Sequence, residues 1–100
     1  MKVLGMASFV VKEEEKEKVI DYLEDHIKFT KEQPGFIDGY VMQSLDSPNT
    51  YVVVSLWDSA ENYSETYRRL VNSGKTQAEY LKMFNGLKES PCFSTYKLLS

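Results

Sequence analysis

The hydrophobic and polar positions of the chain first follow the period of a strand and then that of a helix. Residues 3–11, VLGMASFVV, form an apolar run whose two alternating faces are both largely apolar. This pattern predicts a strand in a sheet that is covered on both sides. Residues 13–33 repeat apolar positions at Val19, Leu23 and Ile27. That spacing predicts an amphipathic helix with a charged outer face.

A turn and a hairpin follow this helix. Pro34 disfavours helical geometry in the residue before it, and Gly35 can take the positive φ of a type II turn. Residues 36–45 and 50–57 are apolar, strand-like runs separated by the sequence Asp-Ser-Pro-Asn at positions 46–49. These four residues favour turns, so the segment predicts a β-hairpin.

The second half of the chain predicts two further helices and a last strand. Asp58 or Ser59 can cap a helix, and Glu61 could complete a capping box with Asp58. We expect this helix to break near Asn72, Ser73 and Gly74 and to bury four side chains: Ala60, Tyr63, Tyr67 and Leu70. A short helix containing Tyr80, residues 82–84 and Leu87 should end by Pro91, before a strand at residues 92–99.

This βαββαβ order predicts a ferredoxin-like α+β sandwich that forms one domain over residues 1–100. Its four-stranded antiparallel sheet should have the spatial order 4-1-3-2, with helices on one face. The first and third strands carry apolar residues on both faces, so the sheet face without helices should pair with a second copy. We therefore predict a homodimer.

Charge and composition exclude several classes of protein. The net charge of −3 and the absence of a basic stripe argue against a nucleic-acid partner. No apolar stretch reaches the ~18 residues that cross a bilayer, and the N-terminus does not resemble a signal peptide. A cytoplasmic protein without a membrane partner is expected. Cys92 is the only cysteine, which excludes an intrachain disulfide and a zinc site built on paired cysteines.

No strong catalytic motif is present in the sequence. His26 is the only histidine, and its position among charged residues predicts a solvated side chain on the outer face of the first helix. The carboxylates form no pair in a predicted cleft, and the glycines form no phosphate-binding loop. The sequence therefore predicts no metal site and no bound cofactor.

Aromatic side chains are concentrated near the end of the third strand. Trp57 ends this strand and shares a face with Tyr51 and Ser55, while Tyr63 and Tyr67 lie one turn apart on the following helix. Such a cluster can be ordinary core, or it can line an apolar pocket in which tyrosine and tryptophan supply hydrogen-bond donors. The residues alone leave both interpretations open.

The segment QPGFIDGYVMQSLDSPNTYVVVSLWDSAENY resembles the antibiotic biosynthesis monooxygenase domain family. The resemblance rests on the turn Pro34-Gly35-Phe36 after the first helix and on the step Trp57-Asp58-Ser59 between the third strand and the second helix. It implies ferredoxin-like protomers that pair their sheets into a dimeric α+β barrel. Members of the family include cofactor-independent oxygenases of polycyclic phenols and quinols, and heme-degrading monooxygenases.

The resemblance implies a small monooxygenase that acts on an aromatic or polycyclic small molecule without a tightly bound cofactor. Tyr63 and Tyr67 would be the catalytic residues that stabilise a substrate anion. The substrate would be bound by four further residues: Trp57, Phe9, Tyr51 and Ser55. The alternatives are a non-catalytic ligand-binding or dimeric interaction module, and a heme-binding or heme-degrading relative.

The heme-degrading relatives carry an asparagine on the first strand and a histidine ligand near the second helix. This chain has Ala7 and Ser8 where the asparagine would fall, and no histidine after His26. The usual ligand set for heme is therefore not expected.

Overall fold

A computed structural model describes residues 1–72 and 81–100 of the chain. The strands and helices follow in this order: β1 (Val3–Val10), a 3-10 turn (Glu13–Glu15), α1 (Lys16–Lys31), β2 (Phe36–Gln43), β3 (Thr50–Trp57), α2 (Ala60–Asn72) and β4 (Cys92–Lys97). Residues 81–85 are also helical. The expected helix break at Ser73 and Gly74, and Tyr80 of the predicted short helix, lie outside the described residues.

The four strands form one antiparallel sheet in the order β2-β3-β1-β4. This is the predicted order, and the prediction of a ferredoxin-like α+β fold is confirmed. The two central strands run along each other with Val3 opposite Trp57 and Phe9 opposite Tyr51. Both central strands are rich in apolar residues, because each lies between two hydrogen-bonded neighbours and within the packed layers.

Helices cover one face of this sheet and form the main core with it. Helix α1 contributes Val19, Leu23 and Ile27 to this core, and the region that follows the second helix contributes Met83 and Leu87. The strands contribute the side chains that alternate toward the helices, Ala7, Phe9, Tyr51 and Val53, and Val11 just after β1 continues this row. The apolar stripe predicted for the first helix is therefore the stripe that packs on the sheet.

The opposite face of the sheet is apolar but is not covered by any helix within residues 1–72 and 81–100. Its central part consists of half-buried side chains: Leu4, Met6, Val52, Val54 and Leu56. Three larger side chains on the flanking strands are exposed: Tyr40, Met42 and Tyr96. The prediction that β1 and β3 carry apolar residues on both faces is confirmed. We call this surface the open sheet face.

The second helix begins one residue later than an Asp58 cap would require. The backbone N–H of Asn62 donates to Ser59 Oγ at 3.2 Å, so Ser59 is the capping residue. Asp58 instead accepts a hydrogen bond from Asn62 Nδ2 at 2.9 Å. A capping box between Asp58 and Glu61 is therefore wrong, because the third helical position after Ser59 is occupied by Asn62.

The buried face of α2 also differs from the expectation. Ala60 is exposed, and Tyr63 and Tyr67 are only half-buried, whereas Leu70 is buried as predicted. Thr66 is almost fully buried, and its hydroxyl donates to the backbone oxygen of Asn62 at 2.9 Å. A polar threonine can face the interior here because the helix backbone itself satisfies its hydroxyl.

The turn between α1 and β2 has the predicted geometry at Gly35, which adopts φ = 85°. A side chain at this position would also collide with Asn62 and Asp58 at the start of α2. The carbonyl oxygen of Gly35 accepts a hydrogen bond from the backbone N–H of Asp58 at 2.9 Å. The turn therefore holds the end of β3 and the start of α2 against the end of α1.

In the described part of the chain, no helix is long and apolar enough to cross a membrane.

Candidate functional site

Trp57 lies at the end of β3 and is completely buried, with 0% of its surface accessible. Its indole Nε1 donates a hydrogen bond to Ser55 Oγ at 2.8 Å. The ring of Phe36 packs edge-on against the indole with centroids 5.6 Å apart, and that of Tyr63 does so at 5.9 Å. Because its only polar atom is satisfied and no surface remains, Trp57 can support a site from behind but offers no contact surface in this conformation.

Small residues make room for these rings on the sheet. Gly5 of β1, Ser55 of β3 and Gly39 of β2 lie opposite one another across three neighbouring strands, and all three are buried. A Cβ atom on Gly5 would lie 2.5 Å from Cε1 and 2.9 Å from Oη of Tyr63. We call these three residues the small-residue row. It allows the Tyr63 ring to lie directly on the backbone of β1.

The hydroxyl of Tyr63 is a polar group close to Trp57. It has no hydrogen-bond partner within the described part of the chain, although it lies beside Gly5. No buried polar side-chain atom in that part lacks a partner, so this hydroxyl retains some accessible surface. It can therefore donate a hydrogen bond to a ligand.

Tyr67 continues the aromatic arrangement one helical turn further along α2. Its ring meets that of Tyr63 at a tilt of 63°, with centroids 4.8 Å apart. Tyr67 also neighbours His26 of α1 at 6.4 Å, and His26 stacks on Tyr22 at 6.2 Å. We call the five residues Trp57, Tyr63, Tyr67, His26 and Tyr22 the aromatic row. It connects the end of β3 with α1 across the helix layer.

The sequence prediction for His26 is wrong. The side chain is half-buried and packs in the aromatic row instead of lying on a solvated outer face. Burial lowers the pKa of His26 below its usual value of 6.5. The imidazole is therefore mostly neutral at pH 7. The available sequence signal was the spacing of Tyr22 and His26, which lie four residues apart and so share one helix face.

Phe9 and Tyr51 lie at the other end of the sheet from Trp57. They face each other across β1 and β3, and each is only 4% exposed. Tyr51 and Trp57 are six residue positions apart along β3, which corresponds to about 20 Å of strand. Phe93 packs edge-on against Phe9 at 6.3 Å, and Gln43 Nε2 donates to the Tyr51 hydroxyl at 3.3 Å. The structure thus brings Ser55, Tyr63 and Tyr67 together with Trp57, but not Phe9 and Tyr51, whose substrate contact stays a prediction.

A surface groove lies between α1 and residues 82–86. Its volume is about 330 Å³. Tyr22 lines it together with eight other residues: Glu15, Lys18, Val19, Asp21, Asp25, Lys82, Met83 and Gly86. The aromatic row therefore ends at a solvent-accessible groove.

Metal-ligating side chains are not clustered in the part of the chain that the structure describes. No group of three or more histidine, cysteine, aspartate or glutamate residues there could hold a metal ion. Cys92 is exposed on β4 and forms no disulfide. The polar group whose ring packs directly on Trp57 is the phenol of Tyr63.

We compared the sequence with known protein families and the fold with solved structures. A model of the antibiotic biosynthesis monooxygenase family matches residues 3–81. No curated protein sequence matches the chain significantly. The sequence resemblance noted above therefore agrees with a family match that includes β1, both tyrosines of α2 and Trp57.

Solved structures with the same fold cover nearly the whole chain. A conserved protein from Methanosarcina mazei Go1 is 18% identical, with a TM-score of 0.84 over 97% of this chain and 92% of that chain. A protein from Nitrosomonas europaea that is named as an antibiotic biosynthesis monooxygenase is 13% identical, with a TM-score of 0.83 over 98% of this chain and 90% of that chain. A variant of SnoaB, a cofactor-independent oxygenase from Streptomyces nogalater, is 13% identical, with a TM-score of 0.80 over 99% and 94%. At these identities the likeness shows the fold.

The hydrogen bond between Trp57 and Ser55 can be tested by a double-mutant cycle. Trp57→Phe should lower the free energy of unfolding by about 2–4 kcal/mol, because it leaves a void and an unpaired serine hydroxyl. Ser55→Ala should cost about 1–3 kcal/mol, because it leaves the indole N–H buried without an acceptor. The double variant should cost less than the sum of the two, as measured by urea unfolding. Additive losses would show that the bond contributes nothing.

The half-buried His26 predicts a pH dependence of stability. The unfolded state binds a proton on His26 near pH 6.5, and the folded state binds it only at lower pH. Stability is therefore complete above pH 6.5 and falls as the pH decreases below it, by at most about 1.4 kcal/mol per pH unit. Urea unfolding between pH 7.5 and 5.5 should show this decrease, and His26→Gln should remove it. An unchanged slope in the variant would contradict the burial of a neutral imidazole.

Proposed function

The chain belongs to the antibiotic biosynthesis monooxygenase family, and from this premise we propose that it is a small monooxygenase of an aromatic or polycyclic molecule. We also propose that the reaction needs no tightly bound cofactor. One observation carries it: the hydroxyl of Tyr63, which has no hydrogen-bond partner within residues 1–72 and 81–100, belongs to a ring that packs against buried Trp57. The oxygenase names of structural neighbours support the same reaction class.

In this proposal the substrate supplies the electrons that reduce dioxygen. A phenol or enol loses a proton and becomes an electron-rich anion, which reacts with dioxygen at a ring carbon. The C–H bond at that carbon and the O–H bond of the substrate are both lost, the two carbons become carbonyl groups, and the two hydrogens leave with the second oxygen atom as water. The substrate is thus oxidised and dioxygen is reduced without a further reductant. The protein needs to exclude water and to stabilise the anion by hydrogen bonds.

The roles of the residues follow from their exposure. Tyr63 donates a hydrogen bond to the substrate anion. The ring of Tyr67 packs against that of Tyr63, with centroids 4.8 Å apart, so Tyr67 lies beside the bound substrate. Trp57 and Ser55 act from behind, since their hydrogen bond holds the indole against which Tyr63 packs. Donors fixed before the reaction stabilise developing charge more effectively than mobile ones.

A non-catalytic module that binds a ligand or a second copy is the second candidate. The complete burial of Trp57 favours it, because a fully packed indole is typical of structural core. This candidate predicts binding of an aromatic ligand without oxygen consumption. The activity measurement below therefore separates the two.

Heme degradation has less support from the residues present. The only histidine, His26, lies on α1 and packs against Tyr22 and Tyr67. Ala7 is buried in the core cluster, at the place where the heme-degrading relatives carry an asparagine. The side chains therefore do not fit the usual heme ligand set, and the proposed reaction involves no heme.

We further propose that two copies pair through the open sheet face. The half-buried residues Leu4, Met6 and Val54 lie at its centre, and Tyr40 and Tyr96 are 57% and 50% exposed there. Contiguous apolar surface of this kind is typical of interfaces, and small domains commonly complete their core by oligomerisation.

We also propose a cytoplasmic location, which cell fractionation would test.

The role of Tyr63 can be tested by oxygen uptake with anthrone as the substrate. Tyr63→Phe should lower turnover by about 10–100-fold, because it removes a donor to the developing anion. Gly5→Ala should also lower turnover, because its methyl group displaces the Tyr63 ring without removing the hydroxyl. Tyr96→Phe removes a tyrosine hydroxyl from the open sheet face and should retain full turnover.

Two results would contradict the proposed role. Equal oxygen uptake by the native protein and Tyr63→Phe would exclude Tyr63 as the donor. No uptake above the uncatalysed rate, combined with tight binding of anthrone, would instead support the non-catalytic module.

The dimer can be tested by sedimentation equilibrium at micromolar concentration. The native protein should sediment as a dimer, and Val54→Glu should shift it toward monomer, because it places a charge in the centre of an apolar interface. Ser64→Glu is the matched control, since it adds the same charge at an exposed position on α2. A native protein that sediments only as monomer would overturn the proposed pairing.

A further inference from the structure

We propose that Asn85 is a site of spontaneous deamidation, and that the turn at residues 83–86 controls the rate of this reaction. The proposal does not depend on the monooxygenase activity. Asn85 is the one asparagine of the chain that a glycine follows. Asparagine is thermolabile, because its side-chain amide can react with the backbone nitrogen of the next residue. A glycine at that next position has no Cβ atom to hinder the approach.

The reaction changes the main chain as well as the side chain. The backbone nitrogen of Gly86 loses its proton and forms a bond to Cγ of Asn85. The bond from Cγ to the side-chain nitrogen breaks, that nitrogen takes up a proton and leaves as ammonia, and a cyclic succinimide remains. Water then opens the ring. Attack at Cγ gives aspartate, whereas attack at the backbone carbonyl carbon gives isoaspartate, whose main chain contains one additional carbon atom.

The two reacting groups differ in how strongly the fold restrains them. Asn85 is exposed, and in the two described ranges its side-chain amide forms no hydrogen bond. The backbone N–H of Gly86, by contrast, donates to the carbonyl oxygen of Met83 at 2.9 Å. The nitrogen must give up this bond before it can lose its proton and attack. Deamidation therefore requires local opening of the turn, and its rate depends on how often the turn opens.

Packing explains why a glycine follows Asn85. Gly86 is buried, and a Cβ atom there would lie 2.8 Å from Cγ2 of Val19 and 3.1 Å from Cβ of Glu15. A side chain that would slow the reaction cannot be accommodated unless these neighbours shift. The reactive Asn-Gly pair is thus a consequence of the close approach between this turn and the beginning of α1.

Isoaspartate would disturb the attachment of this segment to the end of β1. The backbone N–H of Lys12 donates to the carbonyl oxygen of Gly86 at 2.8 Å, and that of Lys88 donates to the carbonyl oxygen of Val10 at 2.8 Å. Leu87, between them, is buried in the core. An additional main-chain carbon directly before Gly86 changes the spacing on which these contacts depend. We therefore expect the isoaspartate product to be less stable than the native protein.

The site can be tested by incubating the native protein in mildly alkaline buffer and mapping its four asparagines by peptide mass spectrometry. Asn85 should deamidate first and yield both aspartate and isoaspartate. In urea above the unfolding midpoint the rate at Asn85 should rise at least about 10-fold, because the turn is then open. Asn85→Gln should remove this reaction, since the longer side chain closes a ring much more slowly.

Two core variants distinguish opening of the turn from unfolding of the whole protein. Met83→Ala truncates a buried side chain within the turn, and Val53→Ala truncates a buried side chain of β3. Both should lower the free energy of unfolding, but only Met83→Ala should raise the rate at Asn85 several-fold in native buffer. In the native protein, where folding of a variant is not in question, the amide hydrogen of Gly86 should exchange faster than those of β3.

The consequence for stability has its own control. Asn85→Asp reproduces one product without lengthening the main chain, so it should unfold at the same urea concentration as the native protein. The aged fraction enriched in isoaspartate should unfold at a lower concentration. An equal midpoint for that fraction would contradict the disturbed attachment to β1.

Three results would overturn the proposal itself. Deamidation only at other asparagines would exclude Asn85 as the site. A rate at Asn85 that is equal in native buffer and in urea would show that the turn offers no protection. Equal acceleration by Met83→Ala and Val53→Ala would show that the reaction proceeds through unfolding of the whole protein instead of opening of the turn.

Discussion

The arrangement of the aromatic side chains depends on the absence of side-chain bulk at one level of the sheet. Gly5, Ser55 and Gly39 are aligned across β1, β3 and β2, and any larger residue at Gly5 would collide with the Tyr63 ring. Rings can therefore lie directly on the strands instead of standing above them. A close approach of this kind brings α2 near the sheet, and it places a tyrosine hydroxyl beside the buried indole of Trp57.

The middle member of the small-residue row has a second function. Ser55 is small enough to leave room for the indole, and its hydroxyl satisfies the indole N–H at 2.8 Å. Without this acceptor, complete burial of Trp57 would leave an unpaired donor and cost stability. Because the pair satisfies itself, the group near Trp57 that the proposed function assigns to a ligand is the hydroxyl of Tyr63. The chemistry proposed for this protein follows from that distribution.

The two faces of the sheet differ in what completes them. On one face, α1, α2 and the region around Met83 and Leu87 provide apolar partners from within the chain. On the other, Tyr40 and Met42 remain exposed beside half-buried Val52 and Val54. Burial of this second face requires a partner surface of similar shape, and a second copy offers one. The proposed site lies on the helix side, so pairing would stabilise the sheet beneath the site without covering it.

The sequence by itself determined the elements, the strand order and the family, because periodicity and turn residues are local signals. The apolar alternation of β1 and β3, the turn at Gly35 and the step after Trp57 were sufficient for this. It also placed Tyr63 and Tyr67 near Trp57, since they follow it by less than three helical turns. Phe9 and Tyr51 were assigned to the same site, although the antiparallel register places them at the far end of the sheet.

Only the tertiary structure decided which of these side chains meet and which remain accessible. The period of a strand places Tyr51 and Trp57 on one face, but the two residues lie about 20 Å apart along β3, which is too far for one small ligand to contact both. His26 was expected in solvent because its sequence neighbours are charged, yet α2 packs beside it and places Tyr67 against its ring. The contact joins residues 41 positions apart in the chain. Burial lowers the pKa of His26, and the contact with Tyr67 comes from a helix that is distant in sequence, so no local pattern records that contact.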